Sequence, residues 1–151
     1  MKLAKITAAF SLALCVEGVS AQSLSAESSL LSQCEFAYSY AGQLMQLRNN
    51  EGATKALIRR SAMMTTTNFL LNEEKGVIAS WKIRDFTLLR YPLKRDFDAG
   101  ARDPIAFAAD CDRKATPIAI RVRNSGKTLW GKSFDEVQLE LFNKYRANLG
   151  L

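Results

Sequence analysis

The chain has 151 residues, a formal net charge of +6 and no histidine. The absence of histidine excludes Ser-His-Asp and Cys-His catalysis and histidine-ligated zinc sites, and it removes the side chain that titrates near neutral pH. With 48% hydrophobic residues, the composition predicts a folded domain rather than a disordered chain.

Residues 1–21 have the pattern of a secretory signal peptide. Two lysines precede an apolar run that ends at Cys15, and small residues follow up to Ala21. We therefore predict cleavage before Gln22, a single domain over residues 22–151, and a periplasmic or secreted protein. The apolar run is shorter than the roughly 20 residues that a membrane-crossing helix requires, so we predict no transmembrane segment.

Cys15 supports one alternative to simple cleavage. A cysteine that follows an apolar run is where lipoproteins are acylated, and an acyl chain contributes to membrane anchoring. The residue before such a cysteine is normally small, whereas Leu14 is bulky. Soluble export is therefore the first expectation, and lipidation is the second.

Two cysteines, Cys34 and Cys111, remain in residues 22–151, and they allow one intramolecular pairing in an oxidising compartment. Asp110 and Asp112 flank Cys111, and adjacent carboxylates disfavour the thiolate that a nucleophilic cysteine needs. Two cysteines also cannot supply a four-thiolate zinc site. We predict a disulfide, no metal site and no cofactor, with a free reactive thiol as the alternative.

Apolar residues recur at steps of three and four along most of the chain, which predicts helices. Asp103 before Pro104 is a favourable helix start, and Ser133 with Glu136 forms a capping box. The predicted helices span residues 25–48, 53–72, 77–90, 103–116 and 133–148.

The connections are less regular. Pro92 predicts the end of the third helix, because the residue before a proline avoids the helical region. Residues 93–103 carry charges of both signs and predict a solvated surface loop. In residues 118–123, apolar and basic residues alternate, which indicates either a short extended edge strand or continued helix. The predicted fold is all-α: a compact bundle of about five helices, pinned by one disulfide.

One stretch of the first predicted helix resembles an enzyme family. Glu27 is followed by Ser28, and the run Gly42-Gln43-Leu44-Met45-Gln46 lies further on. In this respect the chain resembles the soluble lytic transglycosylases, whose catalytic glutamate precedes a serine and, later, a Gly-Leu-Met-Gln run; here Gln43 interrupts that run. The resemblance implies that Glu27 is a general acid in a sugar cleft. The alternative is an ordinary first helix of the bundle.

Positive charge is the other functional indication. It favours anionic partners such as acidic proteins, lipid head groups or phosphate polymers. No nucleic-acid-binding module is recognisable, so we predict no nucleic acid partner. Basic residues are spread along the chain, including Arg59 and Arg60, and dispersed solubilising charge is the alternative to a binding surface. The predicted binding residues, chosen because they lie in or beside predicted loops, are Arg90, Lys94, Arg95, Arg121, Arg123 and Lys127.

These features predict a protein with a non-catalytic binding role in the cell envelope, as an inhibitor, an immunity protein or an accessory protein with a protein partner. The layout is similar to that of small periplasmic immunity proteins that neutralise cell-wall-degrading effectors. Two alternatives stay open. One is a glycan hydrolase or transglycosylase that uses Glu27 or Glu35, and the other is a protein that binds anionic lipid or polymer.

Overall fold

The computed structural model describes residues 25–72 and 86–151. Within these ranges the predicted all-α bundle is confirmed. The α-helices are α1 (Ala26–Leu47), α2 (Glu51–Asn72), α3 (Tyr91–Asp98), α4 (Pro104–Lys114), α5 (Thr116–Asn124) and α6 (Phe134–Asn148), and a π-helical turn, Phe86–Arg90, precedes α3. The predicted signal peptide and residues 77–85 of the predicted third helix lie outside the described residues. Among the helices just given, none is both long and apolar enough to span a bilayer.

Helices α1 and α2 pack against each other as an antiparallel pair. Hydrogen bonds between buried polar side chains run along their interface, where Asn68 Nδ2 donates to Ser32 Oγ at 3.0 Å and Asn72 Nδ2 donates to Ser28 Oγ at 2.9 Å. Gly42 allows the two helices to approach closely, since a Cβ atom there would lie 3.4 Å from Ile58 Cγ1. The pair is therefore held by small residues and satisfied polar groups as well as by apolar contacts.

The disulfide joins α1 to α4 and is confirmed as predicted. Cys34 and Cys111 are bridged with their Cα atoms 5.5 Å apart, and both residues are fully or almost fully buried. Around them lies the largest core cluster, which includes Leu31, Tyr38 and Met64. The inward orientation of both cysteines follows from the helical spacing of the apolar residues around them.

The predicted loop at residues 93–103 is wrong over most of its length, because α3 continues to Asp98. Pro92 does not end a helix here. It lies in the first turn of α3, where the missing N–H costs no hydrogen bond. Leu93 and Phe97, four residues apart, form a buried cluster with Ala37 of α1, and this contact stabilises the short helix.

The extended alternative for residues 118–123 is also wrong, because these residues belong to α5. Pro117 occupies the first turn of that helix, and Ala119 and Val122 form its buried side. The alternation of apolar and basic residues arose from a narrow buried stripe on a short helix. A period of two and a period of 3.6 are difficult to separate over six residues.

A tight turn precedes α6 and sets its position. The main chains of Leu129 and Lys132 exchange hydrogen bonds of 2.9 and 3.0 Å. Trp130 and Gly131 form the turn with φ values of 53° and 77°, a left-handed backbone that glycine adopts without strain. Buried Leu129 anchors the turn in a cluster with Phe69 and Phe134, and the predicted capping box of Ser133 and Glu136 then starts α6.

Candidate binding groove

The six predicted binding residues do not form one surface. Three lie on the π-helical turn and α3: Arg90, Lys94 and Arg95. Their carboxylate partners are, in the same order, Glu35, Asp98 and Asp96. Only the last of these pairs is loose, with 3.7 Å between Arg95 and its partner. These cations are therefore engaged mainly within the protein.

The remaining three lie on and after α5. Arg121 contacts both carboxylate oxygens of Glu27, at 2.7 and 2.8 Å, and Arg123 contacts Asp135 at 2.8 Å. The backbone N–H of Lys127 lies 3.4 Å from a serine hydroxyl in the turn after α5. The two arginines thus tie α5 to the start of α1 and to the start of α6.

Glu27, the general acid implied by the resemblance, is ion-paired and partly exposed, with 41% of its side chain accessible. Glu27 and Gly42 also lie on one continuous helix, where a separation of 15 residues corresponds to roughly 22 Å. The two parts of the resembling pattern therefore do not line one cleft, and Gly42 serves the packing of α1 against α2.

Glu35, the other candidate acid, is largely buried and pairs with Arg90. Nearby, the Tyr145 hydroxyl lies 3.0 Å from the Thr65 hydroxyl. Burial, and secondarily the charge of Glu35, raises the pKa of Tyr145. These contacts connect α1, α2, α6 and the π-helical turn. Catalysis by Glu27 or Glu35 stays a prediction, and neither residue lines the groove described next.

A concave surface follows the outer side of α2, between α4 and α6. We call it the α2 groove. Its basic half, between α2 and α6, has a volume of about 510 Å³, and its apolar half, between α2, α4 and the end of α1, has a volume of about 280 Å³. Ala56 and Arg60 line both halves, so the two halves meet on α2.

The basic half is built around Phe142 of α6. The guanidinium of Arg59 lies 4.9 Å from the centre of this ring, and that of Arg146 lies 6.0 Å from it. Both distances suit a cation–π interaction, which helps to hold the guanidiniums over the ring. Arg146 Nε also donates to the main-chain oxygen of Leu151 at 3.3 Å. Within residues 25–72 and 86–151, no side-chain carboxylate forms an ion pair with Arg59 or Arg146.

Two further cations line the basic half, and both have internal partners. Lys55 pairs with Glu51 one turn earlier on α2, and this contact lowers the pKa of Glu51. Arg60 pairs with Asp112 at 3.3 Å. Glu51 also interacts electrostatically with Arg146. The four cations outnumber these two carboxylates, so the basic half carries an excess of positive charge.

Arg60 is positioned by a contact that reaches into the core. Its partner Asp112 accepts a hydrogen bond of 2.7 Å from the buried hydroxyl of Tyr38. Burial, and then this hydrogen bond, raises the pKa of Tyr38 well above its usual range. The junction between the two halves of the groove is thus fixed to the cluster that surrounds the disulfide.

The apolar half is floored by small and flexible side chains. Exposed Ala56 leaves an open space on α2, and Ala53 extends this floor by one turn. Met45 and Ile105 form the sides, from α1 and α4. Small residues give the groove its depth, and methionine adapts to the shape of an occupant.

The helical pattern of α2 could have indicated this surface, because Ala56, Arg60 and Met63 lie on one side of a helix at steps of three and four. Sequence reasoning instead preferred cations in predicted loops. Arg146 carried no local signal, because it reaches the groove from a helix distant in the sequence.

The lining of the groove combines positive charge with apolar surface. It offers guanidiniums, an ammonium, the Asp112 carboxylate, the Gln138 amide, one aromatic ring and apolar surface. In the part of the chain that the structure describes, no cluster of histidine, cysteine, aspartate and glutamate could hold a metal ion. Comparison with protein-family models, with curated proteins and with solved structures finds no match to this chain.

Proposed function

We propose that this is an exported protein with a non-catalytic binding role in the cell envelope, and that it binds a partner protein through the α2 groove. An inhibitor, an immunity protein or an accessory protein would act in this way. The observation that carries the proposal is the groove itself, which joins an apolar floor to two arginines that form no ion pair with a side-chain carboxylate of the described residues. Protein interfaces commonly combine arginine and aromatic anchors with apolar surface.

The disulfide supports the proposed location of the protein in the cell envelope. Its sulfurs are buried and link segments 77 residues apart in the sequence, which is typical of proteins that fold in an oxidising compartment. The sequence pattern of residues 1–21 favours the same compartment. The walls of the groove come from α4 and α6, and the disulfide fixes α4 to α1. The groove therefore depends on the crosslinked state.

A photo-crosslinking experiment tests the proposal. A photoreactive amino acid replaces Ala56 on the groove floor in one variant and Leu139, which is 57% exposed on α6, in the other. Both oxidised proteins are irradiated in an envelope extract of the source organism. We expect one defined protein partner to be captured from position 56 and not from position 139.

Two results would contradict the proposal. The same set of proteins captured from both positions would indicate non-specific contact, and a crosslink only between two copies of the chain would indicate self-association. The alternative of an anionic surface is checked with vesicles that contain anionic lipid. If the parent protein binds them and binding ends when Arg59 and Arg146 are replaced, the groove serves a membrane rather than a protein.

A further inference from the structure

We infer that the α2 groove accepts an acidic amphipathic helix of the partner protein, with its carboxylates at Arg59 and Arg146 and its apolar side over Ala56. This inference rests on the proposed function and specifies the chemistry of the partner segment. Three features of the groove lead to it: the kind of backbone it can accept, its length, and the separation of charge from apolar surface.

The groove is walled by helices, and this decides which backbone can enter. The main-chain groups of α2, α4 and α6 are already paired within their own helices. An extended segment would bring N–H and C=O groups that these walls cannot satisfy. A helix satisfies its own backbone N–H and C=O groups internally and presents only side chains to the groove. A helical segment therefore loses the fewest backbone hydrogen bonds when it leaves water and enters the groove.

The length of the groove also suits a helix. Its lining on α2 extends from Ala53 to Met63, which corresponds to about 15 Å of helix. An occupying helix of about three turns would cover this length. Such a helix presents apolar and charged residues at steps of three and four on the side that faces the groove.

Charge and apolar surface lie along opposite edges of the groove, on the α6 side and the α4 side of α2, which sets the register of the occupant. Arg59 and Arg146 both lie at Phe142 in the basic half, whereas Met45 and Ile105 lie in the apolar half. Carboxylates form strong charge-assisted hydrogen bonds with guanidiniums. The two halves lie beside overlapping stretches of α2, residues 55–63 and 53–60, so the expected helix carries two or more acidic residues along one edge of the side that faces the groove and small or aliphatic residues along the other edge.

Contact with Phe142 makes the two arginines suitable anchors. A guanidinium held against an aromatic ring has fewer conformations to lose when a carboxylate binds it. The Gln138 side chain, which lies 3.4 Å from the main-chain oxygen of Arg59, adds a polar group to the basic half of the groove.

The inference is tested with a synthetic peptide of roughly 18 residues whose acidic and apolar residues follow this register on one side of a helix. A second peptide has the same composition in an order that separates these residues onto different sides. Binding to the oxidised protein is measured by fluorescence anisotropy, and peptide helicity by circular dichroism. We expect the first peptide to bind, to gain helicity and to weaken as salt rises, because surface charge is screened.

Matched charge reversals locate the binding. Arg59→Glu with Arg146→Glu removes the anchors, whereas Arg48→Glu with Lys144→Glu makes the same change in net charge at exposed positions outside the groove. We expect the first pair to weaken binding by tenfold or more and the second by about twofold or less. Thermal unfolding of both variants shows whether the fold is retained, and Arg146→Gln alone provides a milder test if the first pair unfolds.

Equal binding of the two peptides, or equal effects of the two charge-reversed variants, would overturn the inference. Failure of the ordered peptide to bind would overturn it as well. These outcomes are distinct from failure of the proposed function. If position 56 captures a partner protein but the crosslinked segment is extended or basic, the protein is a binding protein whose groove takes a different kind of segment.

Discussion

The hydroxyl of Tyr38 donates a hydrogen bond of 2.7 Å to Asp112, the residue that follows the bridged Cys111. Tyr38 is fully buried, and Asp112 also pairs with Arg60 on the wall of the α2 groove. This contact connects the core to the proposed binding surface, so its removal should affect both stability and the position of Arg60.

We expect Tyr38→Phe to lower the free energy of unfolding by about 1 to 2 kcal/mol, because it removes a hydrogen bond to a charged acceptor that keeps its arginine partner. Urea unfolding at neutral pH measures this difference in the free energy of unfolding.

The same substitution, Tyr38→Phe, should reduce the loss of stability at alkaline pH. The pKa of Tyr38 is raised on folding, so its contribution is complete below the unfolded value of about 10 and is lost as pH rises above it. Identical losses of stability in parent and variant above pH 10 would show that Tyr38 does not titrate as the structure implies.

Exposed carboxylates should determine how the stability of the fold changes at acidic pH. Hydrogen bonds from Lys94 lower the pKa of Asp98, and those from Ser133 lower the pKa of Glu136. A lowered pKa adds stability above the unfolded value, and this stability is lost as pH falls below about 4. Because the chain has no histidine, we expect thermal stability to be nearly constant from about pH 5.5 to 8. A transition near pH 6.5 would contradict this expectation.

The Cys34–Cys111 bridge closes a loop with a sequence separation of 77, for which the chain-entropy model gives about 4 to 5 kcal/mol. Replacing both cysteines with alanine should lower the free energy of unfolding by about 2 to 5 kcal/mol, since measured effects often fall below the model. Because both sulfurs are buried, the folded parent should resist reduction and alkylation until denaturant is added. Mass spectrometry after alkylation measures this. Rapid modification of both thiols in the native protein would contradict the buried crosslink.

Substitutions at Gly42 distinguish a role of this residue in helix packing from a role in a sugar-binding cleft. A Cβ atom there would lie 3.4 Å from Ile58 Cγ1, at the limit of ordinary contact, whereas a longer side chain would overlap α2. We expect Gly42→Ala to change the free energy of unfolding by less than about 1 kcal/mol, because better helix propensity offsets the tighter contact. Gly42→Leu should cost about 2 kcal/mol or more through overpacking. If both variants unfold like the parent but lose a lytic activity in peptidoglycan zymography, the packing role would be wrong.

A large side chain placed in the α2 groove should reduce partner binding without lowering the stability of the fold. Ala56 is exposed on the floor, so Ala56→Trp should leave the thermal midpoint within a few degrees of the parent and strongly reduce capture of a partner. Leu139→Trp provides a control for added aromatic surface at an exposed position on α6. Unchanged capture by Ala56→Trp would place the binding surface elsewhere on the protein.

The fold was predictable where local patterns are long. Over more than twenty residues each, α1 and α2 repeat their apolar positions many times, and the caps at Ser25, Asp103 and Ser133 lie where their side chains can accept from first-turn amides. The errors fell on the short helices α3 and α5. Sequence reasoning took Pro92 as a stop, but both Pro92 and Pro117 lie in the first turn of their helices. Contacts with the core stabilise these two helices, which are too short to be marked by their own periodicity.

The sequence by itself determined the helical class, because helical periodicity is a property of the chain, and it predicted the pairing of Cys34 with Cys111 from the count of two cysteines in residues 22–151. Only the tertiary structure decided which cations are engaged and which are available. Arg121 and Arg123, which were predicted as binding residues because they lie in or beside a predicted loop, form ion pairs with carboxylates of other helices. Arg59 and Arg146, far apart in the sequence, meet at Phe142, and no side-chain carboxylate in residues 25–72 and 86–151 forms an ion pair with them. Electrostatic interactions depend on distances in space, and these are set by helix packing rather than by sequence separation.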